Sequence, residues 1–140
     1  MSLPNAIHRY WGNREELTEQ VPASRFYTGA VPDENIRRPY VTLAYSCESD
    51  TDSSDVVVEN YVVTFTVVSD NSEDTETICQ LIKQQFDDKI TIPSMTMDGS
   101  DELLASYWLN TEISEPQNAM WPGMVTYRFQ VGTLLESPTT

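Results

Sequence analysis

Histidine is almost missing from this chain: His8 is the only one in 140 residues. Cysteine is nearly as scarce, with Cys47 and Cys79 at no metal-ligand spacing. A histidine-based dyad or triad and a zinc site are therefore excluded, and two lone cysteines are no disulfide framework. Both are expected to behave as small buried hydrophobes, and His8 as a surface or packing residue. The five glycines form neither a phosphate-cradling loop nor a nucleophile elbow. Carboxylates are plentiful enough to pair by chance, but a glycosidase pair also needs a sugar cleft that a small chain rarely supplies. No run approaches the roughly 20 apolar residues that span a bilayer, and no charged and apolar leader is present. The expectation is a soluble intracellular protein, not an enzyme, with no metal and no cofactor.

Basic residues are scarce too, eight Lys and Arg against 22 Asp and Glu, for a net charge of −14. The imbalance is not uniform. Residues 1–45 carry five arginines and five acids, whereas residues 46–140 carry only Lys83, Lys89 and Arg128 against seventeen acids. Such a surface repels phosphates. With no basic stripe and no interleaved aromatics, specific nucleic-acid binding is not expected.

What the chain does have is one well-patterned stretch, Tyr61 to Asp88. Tyr61, Val63, Phe65 and Val67 alternate with Val62, Thr64, Thr66 and Val68, giving a strand with one apolar and one mixed face. The mixed face is dry enough to be covered, for instance by a neighbouring subunit. Asp70, Asn71 and Ser72 are all N-cap residue types, and Asp70 with Glu73 resembles a capping box. Ile78, Leu81, Ile82 and Phe86 then fall on one helical stripe that can pack on the strand's apolar face.

Around this centre, Leu3 to about Gln20 predicts a helix or two short ones, interrupted at Gly12-Asn13, with Leu3, Ile7, Tyr10, Trp11 and Leu17 on one face. Arg25 to Pro32 predicts a short strand that ends in a Gly/Pro-punctuated loop, and Tyr40 to Tyr45 a strand. Residues 46–55 predict a polar, acidic hairpin loop. Asp50, Asp52 and Asp55 in it superficially suggest a calcium loop, but the turn glycine and the twelfth-position glutamate are missing, so no metal site is expected. Lys89 to Pro93 predicts a short strand, Asp98-Gly99 a turn, Leu103 to Ile113 a strand and Trp121-Pro122-Gly123 a breaker. Met124 to Val131 predicts the last strand, and 136–140 a frayed tail. The whole is expected to be a single α+β domain over 1–140: an antiparallel or mixed β-sheet with an N-terminal helix and one central amphipathic helix packed on it.

In order, RFYTGAVPDENIRRPYVTL, the strand Tyr61–Val68, the helix Ser72–Phe86 and the closing strand Val125–Val131 resemble a family of small phage and prophage tail-completion proteins, related to the tail terminators of long-tailed phages. The acidic stretch and Trp121-Pro122-Gly123 depart from that pattern. The resemblance implies a non-catalytic ring, commonly a hexamer, that closes the tail tube and meets the head connector. It implies no cofactor, location in the cytoplasm of a bacterial host during assembly, and then in the virion tail. On this reading DNA passes through an acidic lumen without being bound. Arg37, Arg38, Asp50, Asp52, Asp55 and Trp121 are the candidate contact residues towards neighbouring copies or other tail and head-connector proteins. The alternative is a small α+β binding module unrelated to phages, with a hydrophobic ligand among Trp108, Trp121 and the methionines.

Overall fold

The computed structural model describes residues 2–31, 36–52, 56–97, 99 and 101–134; the side chains of 2, 49–52, 56, 92, 93 and 134 are not described. The calcium-like Asp55, the acidic loop's tip, Asp98 and the 136–140 tail lie outside the described residues.

The patterned strand is the middle of a five-stranded sheet. β3 (Val56–Ser69) pairs antiparallel with β2 (Tyr40–Asp52) on one side and β5 (Trp121–Leu134) on the other. β1 (Phe26–Thr28) adds parallel to β2, and β4 (Asp101–Ile113) adds antiparallel to β5. The order is β1-β2-β3-β5-β4, a mixed sheet with β1 and β4 at its edges. β1 covers only Val41–Leu43 of β2, which among the described residues leaves the rest of β2 as open edge. Arg38–Pro39 is a cis peptide just before β2.

All helices lie on one face. The N-terminal segment forms two helices, α1 (Ser2–Gly12) and α2 (Glu15–Thr18), split where Gly12-Asn13 interrupts the pattern. α3 (Ser72–Gln85) and α4 (Asp88–Ser94) complete the layer. Leu3, Ile7, Tyr10, Trp11 and Leu17 are buried against the sheet face made by Tyr61, Val63, Phe65 and Val67 with Val125, Tyr127, Phe129 and Val131, each no more than 4% exposed. At about 1.5–3 kcal/mol per large apolar side chain removed from water, this layer interface is the main source of stability. Phe86 is its hub, with rings of Phe65, Tyr10, Trp11, Tyr127 and Phe129 at centroid distances of 4.8 to 6.3 Å.

Both ends of α3 are closed by neutral groups. Asn71 is the N-cap: its Oδ1 accepts from Asp74 N at 2.8 Å, and its Nδ2 donates to Asp74 Oδ2 at 3.0 Å. Asp70 does not form the expected capping box; its carboxylate turns outward to Arg38. The last carbonyls of a helix lack intrahelical donors. Here they receive hydroxyls from four elements: Tyr127 donates to Lys83 O, Tyr10 to Gln85 O, Thr91 to Gln85 O at 3.3 Å, and Ser106 to Phe86 O at 2.8 Å.

Four expectations are corrected. Lys89–Pro93 is helix, not strand: Asp87 caps it by accepting from Lys89 N at 3.0 Å, and Thr91 Oγ1 bonds back to Asp87 O at 2.8 Å. The acidic stretch is strand through Asp52, because its backbone is held in register by β3 across a bulge between Cys47 and Ser49. Trp121-Pro122-Gly123 does not break β5 but begins it. Pro122 sits near the strand start, where proline is tolerated, and its carbonyl accepts from Ser114 N at 3.0 Å. Gly123 is where α3 comes closest: a Cβ there would lie 2.6 Å from Thr75 Cγ2 and 2.9 Å from Cys79 Sγ. Finally, Cys79 is buried as expected but Cys47 is exposed on β2.

Candidate functional site

Among the described residues, the sheet's second face carries no helix. It presents Thr42 and Ser46 of β2, Val62, Thr64 and Thr66 of β3, and Met124, Thr126, Arg128 and Gln130 of β5. Those of β3 and β5 are half-buried by each other, as mixed faces of flat neighbours are. Arg128 is a cation on this face. Nη2 donates to Glu48 Oε2 at 2.7 Å, while the buried Nε has no acceptor among the described residues. Glu48, Asn60, Tyr107, Arg128 and Gln130 line a polar depression of about 500 Å³ there.

The edges differ from both faces. Among the described residues, the exposed large hydrophobic side chains are Tyr45 on the open part of β2 and Leu104, Tyr107, Trp108 and Leu109 on β4, each 41 to 44% exposed. Two irregularities in β4, between Leu103 and Ala105 and between Trp108 and Asn110, break the strict alternation expected for this strand. Leu103 therefore lies level with Val131 on the helix-covered face, whereas Tyr107 lies level with Arg128 on the open face. Trp108 is held from outside: Lys83 Nζ lies 3.9 Å from its ring centroid, and its Nε1 donates to Thr111 Oγ1 at 2.7 Å.

The sequence-derived contact residues are scattered. Arg37 is exposed just ahead of β2. Arg38 Nε donates to Asp70 Oδ1 at 2.6 Å, an ion pair open to solvent on both sides and worth about 0–1 kcal/mol. Trp121 is half-buried at the start of β5, and its carbonyl accepts from Thr75 Oγ1 at 2.7 Å. Asp50 and Asp52 lie on the backbone of β2 beyond the bulge. Trp108 and Trp121 do not form a common pocket. Trp108 pairs with Tyr127, which places Trp121 about 20 Å further along β5 by the strand rise. The β4 patch was not singled out as a site from sequence; its signal was four large apolar residues inside an uncharged run.

Chemistry of the titratable groups is that of packing. His8 stacks on Phe26 at 4.4 Å and shares a hydrogen bond of 2.5 Å with Thr28 Oγ1; burial lowers its pKa. Burial, with Glu76 nearby, pushes the Cys79 thiol up to about 12. Burial also raises Tyr10, Tyr127 and Tyr61, the last helped by its hydrogen bond to Glu59. Among the described residues no group of three or more His, Cys, Asp or Glu is placed to hold a metal, and no helix is long and apolar enough to cross a membrane. A groove of about 820 Å³ runs along α3 and is rimmed by Glu16, Glu19 and Glu76 over Cys79, Leu81 and Ile113.

Comparison of the sequence with family models and with curated proteins gives no match. In fold the chain is similar to a chain in the virion of a native gene transfer agent (GTA) particle, with a TM-score of 0.76 and 15% sequence identity over 94% of this chain and 95% of that one. Identity this low speaks for the fold alone. Helices on one face of this mixed sheet are thus an architecture shared with a GTA virion component.

Proposed function

We propose that this chain is a non-catalytic structural protein of a phage-type tail, a single α+β domain that assembles as a ring at the tail end and joins the head connector to the tail tube. The observation that carries the reading is the near full-length likeness in fold to a GTA virion chain. The order of elements read from sequence supports it independently. The ring is built of copies of this chain, with a hexamer as the expected size. Arg37, Arg38, Trp121, Asp50, Asp52 and Asp55 meet neighbours or other tail proteins. The chain works first in the cytoplasm of a bacterial host and then in the virion tail.

The net charge of −14 suits a passage for DNA. An acidic lumen repels phosphates and lets the duplex slide. Affinity for duplex DNA at low salt is expected to be negligible, and tight binding overturns that part of the reading. The reading as a whole is tested by protein composition of purified particles from the source host. This chain is expected at a fixed, low copy number in tailed particles; complete tails without it overturn the assignment.

A further inference from the structure

The two open edges of the sheet share a level. Through the ladders, Tyr45 of β2 aligns with Val63, Tyr127 and then Trp108 of β4, and Ser46 aligns with Val62, Arg128 and Tyr107. The exposed aromatic residues of opposite edges therefore lie in adjacent rows across the sheet. β2 and β4 also run in opposite directions. If copies are related by rotation about an axis along the strands, the β4 of one copy meets the β2 of the next antiparallel and at matching height. Unpaired strand edges are templates for such addition.

Charge points to the same contact. In a chain of net −14, a second copy is repelled almost everywhere. Yet Leu103 to Thr111 on β4 is nine residues without a charge, and Tyr40 to Cys47 on β2 is eight. The acids of both strands stand outside these runs: Asp101, Glu102 and Glu112 on β4, and Glu48, Asp50 and Asp52 on β2. The short β1 covers the lower part of the β2 edge, so the contact begins above Leu43.

The geometry points to a head-to-tail interface between copies of this chain. The Leu104–Leu109 edge of β4 in one copy docks on the open β2 edge around Tyr45 in the next. This deepens the ring reading above and rests on it. Because different patches meet, the contact is heterologous and propagates around a ring until it closes. A contact of β4 with β4 would instead stop at a dimer.

Ser46 and Tyr107, level with each other and on the same face, provide the test. Cysteines are placed at both positions in a Cys47→Ser chain. Mild oxidation is expected to give a ladder of disulfide-linked multimers that ends at one closed species, since such bonds need Cα atoms within about 7 Å. Ser46→Cys or Tyr107→Cys alone should give no ladder; cross-linked dimers that form from either single variant overturn the head-to-tail contact. In parallel, Trp108→Glu is expected to raise the dissociation constant of the assembly by at least about tenfold, with an unchanged far-ultraviolet circular dichroism spectrum. Light scattering on the unaltered protein separates the two levels of the argument. A discrete oligomer that forms no ladder in the two-cysteine variant overturns the interface and leaves the ring standing. A monomer at every concentration and salt, with and without purified tail tubes, overturns both.

Discussion

The two faces of the sheet are made by the same strands, yet they obey different rules. On the helix-covered face, Val63, Phe65, Val67, Val125 and Phe129 are fully buried, and Phe65 and Phe129 meet the ring of Phe86. On the open face, one residue along in each strand, Thr64, Thr66, Thr126 and Gln130 are half-buried by their neighbours in the sheet alone. The covered face must fit in three dimensions, because a packed interior has few voids and little slack. The open face needs only residues that suit a pleated surface.

The strongest way to break the comparison is at the hub of the covered face. Phe86→Ala is expected to cost about 3–5 kcal/mol in urea unfolding; a loss near that of a surface substitution would mean that the helices are not seated on the sheet as described. Gly123→Ala tests the closest approach of α3 to the sheet. Its methyl meets Thr75 and Cys79, and the expected loss is about 1–3 kcal/mol. Against these, Thr64→Val on the open face should change stability by no more than about 0.5 kcal/mol. A large effect there would show that the open face is itself part of a packed interior.

Alkali sharpens the same contrast. Cys79 is neutral in the fold up to about 12, whereas the unfolded chain ionises it from its ordinary 9.0. A raised folded value contributes stability that is whole below 9 and is lost as pH climbs towards 12. Tyr10 and Tyr127, also raised by burial, act in the same direction. The urea midpoint is therefore expected to fall above pH 9, less steeply in Cys79→Ala, and a flat profile would contradict the burial of these groups.

The centre of the fold was legible because two periods meet there. Tyr61–Val67 alternates, Ile78–Phe86 repeats at helical spacing, and three cap-type residues mark the corner between them. Which of the three caps was not legible, since Asp70, Asn71 and Ser72 are near-equivalent until Arg38, 32 residues away, takes the Asp70 carboxylate. Lys89–Pro93 misled because Ile-Thr-Ile suits a strand; Asp87, as a cap two residues before it, was the missed signal. Trp121-Pro122-Gly123 reads as punctuation by residue type. Its meaning is tertiary, since Gly123 makes room for α3 and Pro122 lies near a strand start. The β4 patch escaped notice because perfect alternation would have split its apolar residues between two faces. The bulges, which no local pattern announces, decide which of them reach the edge.

The end of α3 has a consequence for how this protein responds to its surroundings. Helix C-termini commonly draw cations, but here the last carbonyls are held by the hydroxyls of Tyr10, Tyr127, Thr91 and Ser106. Hydroxyl anchors carry no charge for dissolved ions to screen. These anchors should thus be nearly indifferent to ionic strength, whereas meetings between strongly anionic copies should depend on it steeply. Salt becomes a dial that turns encounters between copies while leaving this end of the helix untouched.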